Sequence, residues 1–174
     1  LMRIISGATR PDGGSIEMDG IERTLGSPAD AYNAGISTVY QELSLLPNLT
    51  VAQNAFLGSE LRRRGILDRA EMSRQTRELT ESFGLDIDPD RKVRDYSVAT
   101  RQLLEVAIAT RRGARFLLLD EPTTSLEGAQ VERFLRTVRD LAAQGFGIIL
   151  VDHKLDELYD VAHRIVALVE GEVR

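Results

Sequence analysis

Residues 116–126, FLLLDEPTTSL, set an apolar run directly against two adjacent carboxylates. Phe116, Leu117, Leu118 and Leu119 read as a buried strand, with Asp120 and Glu121 at its carboxyl end. Open α/β sheets bind ligands outside that end of their strands. Two acids there suit a phosphate-bound metal and an attacking water. The plainer alternative is a buried strand that runs into an acidic turn closed by Pro122, and these residues alone leave both readings open.

The pattern after Asp120 narrows the choice. Val131, Phe134, Leu135, Val138 and Ala142 fall on one face of a helix, and Gly145 ends it. Gly147–Val151 is a second buried apolar run. A helix joining two such runs implies parallel strands with a right-handed crossover. Asp152 and His153 therefore reach the same sheet edge as Asp120 and Glu121. The next helix is expected to turn Leu155, Leu158, Tyr159 and Ala162 inward.

Composition excludes several classes. The 174 residues are 43 % hydrophobic, which supports a packed core of one domain, or a core with one inserted lobe. The formal net charge is −5, with no electrostatic footprint for nucleic acid. There is no cysteine, hence no disulfide or thiolate metal site. No apolar run approaches the ~20 residues of a spanning helix, and no signal peptide is visible.

Elsewhere the chain opens in helical spacing, with Leu1, Ile4 and Ile5 at i, i+3 and i+4 and Gly7 as the stop. SIEMDG predicts an edge strand turning at Asp19-Gly20. Ile36–Tyr40 predicts a strand that ends at Gln41, with Tyr40 packed on the sheet. Residues 53 to 112 are polar and Arg-rich and read as a helical lobe between two strands of the sheet. Within it Asp68 and Glu71 have capping-box spacing, Met72, Leu79 and Phe83 share a face, and Gly84 is a stop. Arg62–Arg64 reads as a solvated loop. A second helix spans 98–112 and is capped by Ser97. VALVEGEVR predicts a strand, a Glu-Gly turn and the start of another strand. Both ends read as cuts in a longer protein.

Four elements stand in order: Gln41 after a strand, Ser97 capping a helix, Asp120-Glu121, and His153. In order and surroundings the chain resembles the nucleotide-binding domain of ATP-binding cassette (ABC) transporters along essentially its whole length. VYQELSLLPNLTVAQN resembles the Q-loop, YSVATRQLLEVAIA takes the place of the signature, FLLLDEPTTSL resembles the Walker B strand and D-loop, and ILVDHKLDE the H-loop. Loop texture in QELSLLPNLTVAQNAFLG, SVATRQLLEVA and VDHKLDELYDVAHRIVALVEGEV is similar to the first cassette of bacterial monosaccharide importers.

The resemblance implies an α/β fold, a P-loop NTPase-like core with a parallel sheet, a small antiparallel β portion and an inserted α-helical lobe, truncated at both ends. Residues 1–52 would be partial core with the Q-loop, 53–112 the lobe with the signature, and 113–174 core with Walker B, D-loop and H-loop. ATP and Mg²⁺ are the implied cofactors. Asp120 would hold Mg²⁺ partly through water. Glu121 would orient or deprotonate the attacking water, and His153 would donate to the γ-phosphate. Gln41 would reach both metal and water at the hinge into the lobe. Ser97, Val98 and Ala99, at a helix N-terminus suited to phosphate, would close over ATP held by the opposite cassette. Leu126 and its neighbours would lie in the D-loop at that interface, and His163 on the surface. Implied partners are a second cassette (in the same chain or as a homodimer), a transmembrane permease and, indirectly, a periplasmic sugar-binding protein, with the subunit cytoplasmic and peripheral on the inner face of the plasma membrane.

The sequence departs from the family pattern in two places. No G-x-x-x-x-G-K-[ST] occurs in the 174 residues, so the chain is expected to begin just after the phosphate loop. It would then lack the backbone cradle, the phosphate-binding lysine and the hydroxyl ligand of Mg²⁺, making the parent an ATPase and this piece inactive. In the signature, Ala99 stands where the last glycine is usual and Thr100 where glutamine is. Two alternatives remain: an ABC ATPase of translation or repair without a permease, and a degenerate, non-catalytic cassette domain.

Overall fold

The structure is a computed structural model that describes residues 1–40, 44–169 and 172–174. It opens with helix α1 (Met2–Ile5) and a hairpin of strands β1 (Ile16–Met18) and β2 (Ile21–Arg23). That hairpin closes through Asp19 and Gly20, both at positive φ, the turn whose twist suits antiparallel strands. Helix α2 (Pro28–Asn33) is capped by Ser27, whose hydroxyl accepts the Asp30 N–H. Gly7 sits against this cap at φ +72°, and a Cβ there would lie 2.2 Å from the Ser27 carbonyl oxygen.

Strand β3 (Ile36–Val39) leads to helix α3 (Val51–Ala55), hairpin strands β4 (Arg62–Arg63) and β5 (Ile66–Leu67), helix α4 (Arg69–Ser82) and helix α5 (Val98–Arg111). The chain then alternates: strand β6 (Phe116–Asp120), helix α6 (Ala129–Ala143), strand β7 (Gly147–Val151) and helix α7 (Leu155–Val161). It ends in short antiparallel strands β8 (Leu168–Val169) and β9 (Glu172–Val173). Glu170 and Gly171, the expected turn between them, lie outside the described residues.

Strand β6 lies between β3 and β7 and pairs in parallel with both, Ile36–Val39 against Phe116–Leu119 and Phe116–Asp120 against Gly147–Val151. Period-two alternation sends Val39, Leu117, Leu119, Ile148 and Leu150 to one face, where they pack with Leu104 of α5 and Phe134 and Val138 of α6. Ile36, Phe116 and Leu118 face the other way, toward Ile5, Ile16, Leu25 and Ala31. Because both faces of β6 are covered, its sequence is continuously apolar rather than alternating. Leu117 and Leu119 are fully buried, and truncating either to alanine would cost about 2–5 kcal/mol.

Several local expectations differ from the structure. Arg62–Arg64 is not a loop: Arg62 and Arg63 form an exposed two-residue strand, and Arg64 and Gly65 turn at positive φ. The capping box of α4 is half made. Asp68 accepts the Glu71 N–H at 3.1 Å, but the Glu71 carboxylate turns to Arg74 and Gln75. The Asp68 N–H donates instead to the Leu61 carbonyl. The buried stripe of α4 is Met72, Thr76 and Thr80, and each threonine hydroxyl bonds a carbonyl one turn back. Strand β7 is less buried than its sequence suggests, with Ile149 40 % and Val151 38 % exposed. Tyr40 lies past the end of β3 and is 46 % exposed. Leu155 and Tyr159 face solvent rather than the core, because α7 is rotated to bring Glu157 toward a polar contact described below.

Candidate functional site

Asp120 is the last residue of β6 and is paired with Val151, the last of β7. Two strand ends therefore finish level, and Glu121 and His153 follow them at one rim. The Glu121 N–H donates to the Val151 carbonyl at 2.9 Å, which extends the pairing one residue past the strand. Glu121 itself adopts φ +46°, in the left-handed region, at a cost of about 1–2 kcal/mol for a non-glycine residue. Glu121 Oε1 lies 3.8 Å from His153 Nδ1, and the Thr124 hydroxyl donates to Glu121 Oε2 at 3.3 Å. Both side chains of the pair reach solvent.

A buried polar knot fastens the two loops behind this pair. Thr123 is fully buried, and its hydroxyl oxygen lies 2.9 Å from Asp152 Oδ2 and 2.5 Å from Glu157 Oε2. Only 1 % of the Asp152 side chain is exposed, so its charge needs partners. The Lys154 N–H donates to Asp152 Oδ1 at 3.0 Å. Lys154 Nζ pairs with Glu157 Oε1 at 3.0 Å and reaches the Thr123 carbonyl at 3.4 Å. The loop after Glu121 is thus held against the loop bearing His153.

Ser97, Val98 and Ala99 form the start of α5. The Ser97 hydroxyl accepts the Thr100 N–H at 3.2 Å and lies 2.9 Å from Thr100 Oγ1, so it serves its own helix as a cap. Ser97 and Val98 are exposed and Ala99 half-buried. Among the described residues no hydrogen bond or ion pair joins this trio to Asp120, Glu121 or His153. Gln41 lies outside the described residues. Leu126 is buried in the core of the chain. His163 is exposed, as expected.

Among the described residues no three His, Cys, Asp or Glu side chains gather as a metal-ligand set. Mg²⁺ takes one or two carboxylates and fills its remaining positions with phosphate oxygens and water. A single half-buried carboxylate at a strand end, as Asp120 is, fits that donor chemistry.

Sequence reasoning missed three polar devices. Asn54 is buried and bonds Leu46 N–H and the carbonyls of Leu46 and Thr50, pinning the loop before α3. The Thr50–Gln53 capping box of α3 is reciprocal, and its T-x-x-Q spacing was readable. The Thr123–Asp152–Glu157 knot joins positions about 30 residues apart and leaves no local pattern.

A model of the family described as ABC transporter matches residues 1–124. The ribose import ATP-binding protein RbsA 1 of Rubrobacter xylanophilus is 44 % identical over 173 residues, covering 99 % of this chain and 35 % of that protein. A putative ribose/galactose/methyl galactoside import ATP-binding protein of Rhizobium johnstonii is 42 % identical over 172 residues, covering 98 % of this chain and 34 % of its own length. The chain therefore spans about a third of the length of the curated relatives it matches. Among solved structures, the ADP conformation of MJ1267, an ATP-binding cassette of an ABC transporter, superposes with a TM-score of 0.84 at 22 % identity, over 99 % of this chain and 72 % of that one. A dimeric post-hydrolysis state of the cassette MJ0796, bound to ADP and Pi, gives 0.77 at 22 % identity, over 99 % and 76 %. At such identity the superpositions speak to the fold, an α/β cassette.

Proposed function

The chain belongs to the ABC transporter family, and from that premise we propose that it is part of the ATP-hydrolysing subunit of a monosaccharide importer. The observation that carries the reading is the approach of Glu121 and His153 to 3.8 Å at the carboxyl rim of two parallel strands. A terminal phosphoryl group spreads charge over its oxygens in transfer, so positioning and electrostatics supply most of the catalysis. Glu121 orients or deprotonates the attacking water, and His153 holds the γ-phosphate through a ring N–H. Asp120 and Gln41 would hold Mg²⁺, which would offset charge on the phosphate oxygens. The α5 N-terminus at Ser97, Val98 and Ala99 offers its N–H groups to ATP on an opposing cassette.

Coupling to transport uses a different surface. A cavity of about 270 Å³ lined by Leu49, Thr50, Gln53, Leu57, Leu67 and Met72 opens between α3 and α4. Its apolar lining with a polar edge suits a helix of a transmembrane permease, supplied with sugar by a periplasmic binding protein. On this reading the subunit sits on the cytoplasmic face of the inner membrane. Import of ribose or galactose is taken from the relatives' names.

The test is Glu121→Gln in the full-length protein. Loss of a general base costs about 10²- to 10⁴-fold, so kcat for ATP should fall by that factor while ATP binding persists. Unchanged turnover in this variant would reject the assignment. Ribose-stimulated ATPase activity in vesicles with the cognate permease tests the transport half, and stimulation by no sugar rejects it.

A further inference from the structure

Helix α5 turns two polar side chains into an otherwise apolar core, and we propose that one of them, Glu105, is a positioning residue that fastens this helix to the segment following Gln41. Glu105 is 7 % exposed and Gln102, one turn earlier on the same face, is 3 % exposed. Glu105 Oε1 accepts the backbone N–H of Ser44 at 2.9 Å, three residues beyond Gln41. Gln102 Nε2 donates to the Ser125 hydroxyl at 3.3 Å, four residues beyond Glu121. One face of α5 thereby grips the segment that follows Gln41 and the loop that follows Glu121, while its N-terminus presents Ser97, Val98 and Ala99.

Keeping a carboxylate here is costly. Glu105 Oε2 is buried without a partner among the described residues, and burial pushes the carboxyl above its ordinary range, against the opposing pull of Ser44 and of the Arg112 charge. Leu103, Leu104, Val106 and Ile108 around it are all buried. Replacing Glu105 with an apolar residue of similar volume relieves that desolvation cost, and this relief is set against the loss of the Ser44 bond. What leucine cannot do is accept a loop N–H, and that is the service the carboxylate renders.

The role rests on the ATPase reading above, and two variants of the full-length protein test it. Glu105→Leu fills the volume and removes the carboxyl, while Glu105→Gln keeps an acceptor for Ser44. We expect Glu105→Leu to melt no lower than wild type. Its Ser44 amide should exchange with solvent at least about tenfold faster, since the lost bond is to a charged acceptor. Its kcat should fall about 10- to 100-fold, the effect of a small misplacement of reacting groups. KM for ATP should stay within about threefold. Glu105→Gln should restore Ser44 protection and most of kcat. Wild-type exchange at Ser44 in Glu105→Leu overturns the link, and fast exchange with unchanged kcat overturns the positioning role. Parallel loss of stability and activity in both variants also overturns it, leaving a structural residue. A wild-type protein without ATPase activity sinks the underlying reading instead, and is told apart because the Ser44 contrast needs no turnover.

Discussion

At Glu121 the backbone enters the left-handed region at φ +46°, where a side chain with a Cβ is strained and glycine is not. The residue is held there by its N–H bond to Val151 and by the Thr124 hydroxyl on its carboxylate. Strained backbone that persists only because its surroundings over-determine it is common at functional sites. The strain gives a prediction that separates stability from chemistry. Glu121→Ala and Glu121→Gly both lose the carboxylate, but only glycine relaxes the turn, so Glu121→Gly should be the more stable by about 1 kcal/mol after its extra unfolded-state entropy is set against the relief. Urea denaturation of the two variants measures the difference, and equal midpoints would show that the turn is unstrained. Neither the positive φ nor the Thr123 knot could be read from the sequence, because glutamate carries no preference for that conformation and the knot is made by side chains distant in the chain.

Among the elements, α4 shows how far local pattern carries. Its boundaries follow from Asp68 at the start and Gly84 beyond the end, and both were legible as cap and stop. The partner of Glu71 was not, since D-x-x-E spacing cannot say whether a carboxylate bonds backward or forward. In the folded helix Arg74, then Gln75, draw the Glu71 carboxyl down from 4.5 to about 2. A depressed folded pKa means the unfolded chain binds the proton more readily, so stability rises with pH across that interval. The contribution of Glu71 is therefore present above about pH 4.5 and is lost as the pH falls toward 2. Both side chains reach solvent, so the effect is small and salt-sensitive. Comparison of wild type with Glu71→Gln by thermal melting should show a gap at pH 6 that shrinks steadily as the pH falls from about 4.5 toward 2 and narrows in about 1 M salt. A gap independent of pH would mean that the ion pair does not form. α7 makes the converse point: of the residues its spacing turned inward, Leu158 and Ala162 are half-buried but Leu155 and Tyr159 are exposed, while Glu157 bonds Thr123 and Lys154.

Across the whole molecule, the parallel pairing of β6 with β7 was readable because strand, helix and strand alternate with short turns, and that pairing brings Asp120, Glu121 and His153 to one rim; the place of β3 beside β6 was not, since 76 residues separate the two strands. The relation of that rim to Ser97, Val98 and Ala99 was not readable, nor is it made by direct bonds among the described residues; it runs through α5, whose buried Gln102 and Glu105 touch both loops. What the 174 residues do not contain is a glycine-rich lysine loop, the backbone nest that ordinarily carries the phosphates. Removing one preorganised donor from such a site costs about 10²- to 10³-fold, and here the whole cradle is lacking. The remaining groups, Asp120, Glu121 and His153, bring two negative charges toward a polyanion. The chain by itself should accordingly bind ATP·Mg²⁺ weakly. A ligand at a hundred times its Kd raises stability by about 2.7 kcal/mol, whereas one at a tenth of its Kd adds almost nothing. Melting the 174-residue chain with and without millimolar ATP·Mg²⁺ should therefore show no shift in Tm, while a polypeptide that joins this chain to a phosphate loop should melt several degrees higher with nucleotide. An equal rise in both would place the phosphate-binding groups within these residues, in a site other than the rim described above.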